Sequence, residues 1–283
     1  MKPSPDQNVA AMMASPHVPI ASADTPTLMA IAITAYLCGV VIHEALGHGL
    51  MALLLGLHPT RVSSVDLEVS FRQAAMWKMR MVSAAGCAAN LMLAGVAIWA
   101  GRRARKSSGA TQYFFWLLAV INLLSPGGYL MVLTFPGVGD WGDFTRGLHP
   151  LWIWKSGLTA LGLMISIMSL RWGVRHLRVF LGQEEGHRRR AWKLTLLPYL
   201  TGSTINTLAG ILNPVSPWLI LISAAAASFG GTSWLIWIGA ESARRKPHTG
   251  LTALTISRHQ GWLAMGAAAL AVYFFVLGPG WPR

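Results

Sequence analysis

Long apolar runs alternate with short polar or basic connectors along the chain. A run of about 20 apolar residues is long enough for an α-helix to cross a bilayer. The pattern therefore predicts an all-α polytopic membrane protein with about seven transmembrane helices. We expect these helices at residues 27–57, 77–100, 113–135, 152–172, 193–213, 216–240 and 261–280.

A different periodicity follows the first apolar run. In the stretch "SSVDLEVSF", Val65, Leu67, Val69 and Phe71 alternate with polar neighbours. A period of two is typical of a half-buried strand, so we expect a short β-strand or hairpin inserted after the first span. Such a strand could offer its edge to an extended peptide by strand addition.

The composition excludes an ordinary soluble protein. Of 283 residues, 53% are hydrophobic and only 12% are charged, whereas soluble domains carry about 25% charged residues. The formal net charge of +13 is concentrated in connectors, at residues 102–106, 171–193 and 244–258. Such clusters are typical of cytoplasmic loops at anionic headgroups, so the lipid bilayer is the expected partner and nucleic acid is not. Cys38 and Cys87 both lie in apolar runs, and no disulfide framework is expected.

The amino-terminal region differs from the rest of the chain. Residues 1–25 are polar and rich in Pro, Ser and Ala, which predicts a disordered tail rather than a signal peptide. With seven spans, the three basic connectors lie on one side of the membrane and place the amino terminus in the cytoplasm. Four further basic residues between positions 61 and 80 lie on the opposite side and weigh against this orientation.

The candidate chemistry lies in "HEALGH", inside the first predicted span. Of ten acidic residues, Glu44 alone lies near the middle of a predicted span, and His43 and His48 flank it. A glutamate at this depth should be protonated, paired or beside a metal. Neutral imidazoles bind Zn²⁺, and a glutamate beside the first histidine can act as general base toward water. The alternative is that the histidines satisfy polar groups between helices and that Glu44 is protonated.

The spacing of the two histidines differs from the zinc motif H-E-x-x-H. Residues i and i+4 of an α-helix lie about 40° apart, whereas i and i+5 lie about 140° apart. A π-bulge would bring His43 and His48 to one face, and Gly47 is a weak helix former that permits one. We therefore predict a departure from regular α-helix between the two histidines. The HELLGH zinc motif of the dipeptidyl peptidase III family resembles this stretch in its spacing.

A second motif follows in the next span, where Asn90 ends the stretch "GCAAN". A metal helix, a strand-like insertion and a helix with a G-P-x-x-N motif occur in this order in site-2 proteases, a family of intramembrane zinc metalloproteases. The chain resembles a divergent member of that family over about residues 30–145, with Cys87 in place of the proline. The resemblance implies a catalytic membrane core at 26–150 and additional transmembrane helices at 151–283.

The resemblance also implies roles for individual residues. His43 and His48 would bind Zn²⁺, Glu44 would be the general base, and Asn90 would bind the scissile carbonyl or the substrate backbone. From the residues alone, Asn90 could equally form a helix–helix hydrogen bond.

The third zinc ligand of the family is an Asp in an N-x-x-P…L-D-G element. Asn122 and Pro126 resemble the start of this element with one extra residue between them, but no Asp follows at the usual distance. Asp140 is the first carboxylate available, and we expect it to be the third ligand. Asp143 and His149 are alternatives, as is a loop carboxylate with no ligand role. Pro126, with the glycines after it, should interrupt the helix and let the next segment re-enter the membrane.

The function implied by the resemblance is zinc-dependent hydrolysis of peptide bonds in a transmembrane peptide or protein substrate. A bacterial inner membrane is the expected location. Two alternatives stay open: a non-catalytic scaffold or binding protein with the same fold, and a seven-span zinc-dependent lipid amidohydrolase. The placement of Glu44 beside His43 favours the protease, since a scaffold has no need of a buried acid.

Overall fold

The computed structural model describes residues 22–72, 74–182, 186–213, 220–246 and 252–282. Its α-helices are α1 (Thr25–Val41), α2 (Leu50–Leu54), α3 (Met76–Arg103), α4 (Gly109–Leu133), α5 (Gly139–Thr145), α6 (Leu151–Leu181), α7 (His187–Ile211), α8 (Trp234–Arg244) and α9 (Gln260–Val272). Three π-helical segments, Ile42–Gly49, Ile220–Gly230 and Tyr273–Leu277, and two strands, β1 (Pro59–Val62) and β2 (Leu67–Val69), complete the main elements. Most of the predicted tail, residues 1–21, lies outside the described residues.

The chain is mostly helical, as the hydropathy pattern predicts. Five helices in the described residues are long and apolar enough to cross a membrane, and they begin at Thr25, Met76, Gly109, Leu151 and Gln260. The other two predicted spans coincide with α7 and with the helical stretch from Ile220 to Arg244.

The third predicted span differs from expectation at its proline. Helix α4 runs without interruption through Pro126, so the predicted break there is wrong. The adjacent glycines are instead sites of close helix packing. A Cβ added to Gly127 would lie 3.0 Å from the Gly162 carbonyl oxygen on α6, and one on Gly128 would collide with the backbone of Gly231. Packing on both sides holds α4 together despite the hydrogen bond that proline removes.

The insertion after the first span is a β-hairpin, as predicted. Strands β1 and β2 are antiparallel, and Val62 pairs with Leu67. Val65 lies in the turn, where it is buried, and Phe71 lies beyond β2. Asn213, just after α7, fixes the turn because its Nδ2 donates to Ser63 Oγ at 3.0 Å.

The outer edge of β1 is covered by the chain's own carboxyl-terminal segment. Val62 and Trp281 exchange backbone hydrogen bonds of 2.9 and 2.8 Å, and the Ser64 N–H donates to the Leu277 carbonyl. In the described part of the chain, the outer edge of β2 has no backbone partner. An added strand could therefore pair with the outer edge of β2 but not with that of β1.

Candidate metal centre

His43 and His48 lie on the π-helical segment that follows α1. A π-helix forms i to i+5 hydrogen bonds, so a side chain five residues on lies over the first one. The two imidazole centroids are 4.7 Å apart and the rings are nearly perpendicular, at 83°. The predicted departure from regular α-helix is confirmed, and it turns both imidazoles to one face.

The His48 ring is oriented by α3. Its Nδ1 lies 2.7 Å from the carbonyl oxygen of Val82. A carbonyl only accepts, so Nδ1 carries the hydrogen and donates it. In the neutral ring Nε2 is then the atom with a free lone pair, and it points toward the centre of the site.

A relay of amides orients the His43 ring in the same way. Asn122 Nδ2 donates to the Leu118 carbonyl at 2.8 Å, which leaves Asn122 Oδ1 to accept from Asn90 Nδ2 at 2.6 Å. Asn90 Oδ1 in turn accepts from His43 Nδ1 at 2.5 Å. The Leu118 carbonyl therefore sets the tautomer of His43 through two side chains, and His43 Nε2 also presents a lone pair.

Asp140 is brought to the histidines by the turn after α4. Gly137 and Gly139 have positive φ angles of 72° and 61°, which reverse the chain and start the short helix α5. Arg80 on α3 holds this helix in place, since its Nε donates to the Phe144 carbonyl at 3.2 Å. Chain reversal at two glycines, and not a broken α4, is what returns Asp140 to the site.

The three side chains converge on one point. Asp140 Oδ2 lies 3.3 Å from Nε2 of His43 and 3.3 Å from Nε2 of His48. All three candidate ligand atoms lie within 4.8 Å of one another. Ligand atoms about 2.1 Å from a tetrahedral ion lie about 3.4 Å apart, which matches the two distances to Asp140 Oδ2.

The electrostatics of this cluster require a cation. Two lone pairs and a carboxylate face one another, so either a proton on a ring or a metal ion must lie between them. Burial raises the pKa of Asp140, but the positive charge of a cation beside it, which in the metal-free cluster is a proton on His48 Nε2, outweighs burial and holds the pKa of that carboxyl well below its ordinary value. The carboxylate is therefore ionised, and two imidazoles with one carboxylate form a donor set that suits zinc.

The alternative third ligands lie elsewhere. Asp143 pairs with Arg146 at 2.5 Å, and His149 is exposed. Neither belongs to the cluster of His43, His48 and Asp140.

Glu44 lies next to His43 but faces a cavity. Its side chain is only 9% exposed, and the carboxylate accepts no hydrogen bond from the described residues. The cavity is open to its surroundings and, with the open space at its mouth, comprises about 650 Å³ not filled by protein atoms; His43 and Glu44 both line it. The carboxylate is therefore placed to contact water or a bound molecule next to the three candidate ligands.

Two glycines allow the helices to meet at the site. A Cβ added to Gly86 on α3 would lie 2.5 Å from His48 Nε2 and 2.6 Å from His43 Nε2. A Cβ added to Gly47 would lie 2.6 Å from the Gly86 Cα. The imidazoles thus lie directly over bare backbone, which explains why the "GCAAN" stretch begins with glycine.

We expect deletion of Leu46 to leave metal binding intact. Leu46 is 53% exposed and is a residue within the π-helical segment, so its removal restores the spacing H-E-x-x-H on a regular α-helix. Metal analysis of the purified deletion variant measures this. Deletion of Leu37, inside the regular helix α1, is the control, because it rotates the two parts of α1 by about 100° relative to each other. Loss of metal on deleting Leu46 would contradict the role assigned to the π-helical segment.

No family model, curated protein or solved structure matches this chain. A proposal for the function of this chain therefore rests on the chemistry of the site residues.

Several residues at the site were not identified as site residues from the sequence. Asn122 was noted only for its place in a motif, and the carbonyl of Val82 gave no signal at all. The cavity also reaches Asn206 and Thr232 in the second half of the chain. Asn122 and Asn206 could have been found as polar side chains inside apolar runs, which is an unusual position in a membrane helix.

Proposed function

We propose that this chain is an intramembrane zinc metalloprotease of the site-2 protease type. We also propose that the chain crosses a bacterial inner membrane seven times. The observation that carries it is the convergence of His43, His48 and Asp140 beside Glu44 at a cavity. Three protein ligands are typical of catalytic zinc, whereas structural zinc has four.

The donor set fits zinc, and His43, His48 and Asp140 would hold it. When bound, zinc supplies Lewis acidity toward a carbonyl oxygen and toward water. Glu44 takes a proton from the attacking water and later gives it to the leaving amine. Glu44 lines the cavity and accepts no hydrogen bond from the described residues, so both carboxylate oxygens are free for these proton transfers.

Asn90 is best described as a positioning residue. Its Oδ1 accepts from His43, and its Nδ2 donates to the Gly39 carbonyl at 3.1 Å and to Asn122. Direct binding of the scissile carbonyl, as the family resemblance implies, would require one of these hydrogen bonds to break. Partners that orient a metal-binding histidine typically change metal affinity about 10–100-fold when they are removed.

Metal analysis of the purified protein tests the proposal. We expect one equivalent of zinc in the wild type, and loss of that zinc in His43→Ala and Asp140→Ala. Asp143→Asn is the matched control, since Asp143 is a nearby carboxylate outside the cluster, and this variant should keep its zinc.

The substrate class is tested on the same preparation. Zinc-loaded protein should cleave a transmembrane peptide and leave a long-chain lipid amide intact. Hydrolysis of the lipid amide alone would support the amidohydrolase instead. A wild type without zinc and without cleavage would support the non-catalytic scaffold.

A further inference from the structure

The cavity beside the metal centre is shared by both halves of the chain. His43 and Glu44 line it from the first half of the chain. Asn206, Ser228 and Thr232 line it from α7 and the segment after α7. The metal centre needs only residues from the first half. The polar groups that the second half contributes to the cavity therefore have no role in the metal centre itself.

Most of these polar groups are satisfied within the wall of the cavity. Thr232 Oγ1 donates to the Ser228 carbonyl at 2.6 Å and lies 2.7 Å from the Tyr36 hydroxyl. Ser228 Oγ donates to the Ala224 carbonyl. Two of these bonds lie within one helical stretch and the bond to Tyr36 joins it to α1, so these hydroxyls have little capacity left for a bound molecule.

Asn206 is the exception. Its side chain is 5% exposed, its Oδ1 is buried without a partner, and no described residue forms a hydrogen bond with its amide. A buried amide oxygen without a partner is unusual, because its desolvation is not compensated. Asn206 lies on helix α7 and lines the cavity, so a molecule in the cavity can reach its amide.

Ser64 supplies a second unpaired group on another wall. It lies in the turn of the hairpin, is 3% exposed, and its Oγ is buried without a partner. Its backbone N–H donates to Leu277 at 2.9 Å, so its position is fixed. Two unpaired polar groups from separate elements thus line the same cavity as Glu44.

The chemistry of a primary amide selects the ligand. Asn206 can accept from an N–H and donate to a carbonyl at once, which are the two groups of a peptide unit. In a helix those groups are bonded internally, whereas an unwound peptide presents them to a partner. The acyl chain of a lipid has no N–H or carbonyl group that could form these hydrogen bonds.

We propose that Asn206, assisted by Ser64, binds the backbone of an unwound peptide segment in the cavity beside the metal centre. This inference rests on the proposed protease function, for which it names the conformation of the substrate. It assigns the second half of the chain a direct part in substrate binding.

Peptide binding to the Glu44→Gln protein tests this inference without cleavage. A fluorescent transmembrane peptide should bind about tenfold more weakly when Asn206→Leu is added, because the amide's hydrogen bonds are lost at nearly constant volume. Asn206→Gln should restore part of the affinity, and Ser64→Ala should weaken binding less. Thr204→Val, an exposed position on the same helix, is the control and should have no effect. Zinc content should be equal in all variants.

A set of peptides with single backbone esters locates the contact. An ester removes one N–H donor, so one position in the set should weaken binding to the Asn206 protein and have no effect with Asn206→Leu. Equal binding by the Asn206 and Asn206→Leu proteins would overturn the inference and leave Asn206 bonded to water. Should Asn206→Leu fail to fold, Asn206→Ala, which removes the same amide with less bulk, takes its place in the ester set.

The two proposals can fail separately. Binding that depends on Asn206 in a protein without zinc or cleavage would retain the peptide subsite and reject the protease. Zinc-dependent cleavage with no effect of Asn206→Leu on KM or binding would retain the protease and reject the subsite.

Discussion

Replacing Glu44 by glutamine is expected to lower peptide cleavage by about 10²–10⁴-fold and to leave zinc bound. Glutamine has the shape of glutamate but cannot accept the proton of the attacking water. Glu44 is not one of the three candidate ligands, so the metal should remain. The fold should tolerate the change, because a neutral amide is easier to bury than a carboxylate.

The measurement is cleavage of a transmembrane peptide, together with zinc content and thermal unfolding of the same preparation. Glu241→Gln is the matched control, since Glu241 pairs with Arg245 at 2.9 Å, has a side chain that is 41% exposed, and does not line the cavity. Its cleavage rate should equal that of the wild type. Cleavage by Glu44→Gln at a rate near the wild type would rule out Glu44 as the base.

Replacing Gly86 by alanine is expected to remove zinc as completely as the loss of a ligand. The added Cβ would lie 2.5 and 2.6 Å from the two Nε2 atoms that face Asp140, so both rings must move. Helix α3 cannot retreat freely, because Val82 and Asn90 on the same helix orient these rings. One methyl group is therefore expected to displace two candidate ligands at once.

Zinc content and thermal unfolding of Gly86→Ala are compared with those of Gly95→Ala. Gly95 lies on the same helix with nothing within 4 Å of an added Cβ. The control should keep its zinc and gain about 0.5–1 kcal/mol of stability, because alanine favours a helix more than glycine does. A full equivalent of zinc in Gly86→Ala would contradict the close approach of the imidazoles to α3.

The parts of the structure that sequence predicted well are those set by local periodicity. The helical pattern and the hairpin follow from the spacing of apolar side chains. The π-helical segment was also predictable, since two histidines one residue too far apart, with Gly47 between them, can share a face only if the helix widens.

The interpretation of Pro126 failed for a reason that sequence does not carry. Proline and two glycines normally end a helix, but here Gly162 and Gly231 pack against those glycines and hold α4 intact. The hydrogen-bond relay through Asn122 was missed for the same reason. Its partners are distant in sequence, and only the packing of α1, α3 and α4 brings them together.

The contact between Gly47 and Gly86 amounts to a signature that other chains can be searched for. A side chain at either position would push the imidazoles off α3. A chain with the same candidate metal centre should therefore combine H-E-x-x-G-H in one apolar run with G-x-x-x-N in the next. The connecting hairpin is free to vary in length and composition. Pairing the two glycines gives a pattern based on contact geometry, which can detect relatives whose overall sequence has diverged.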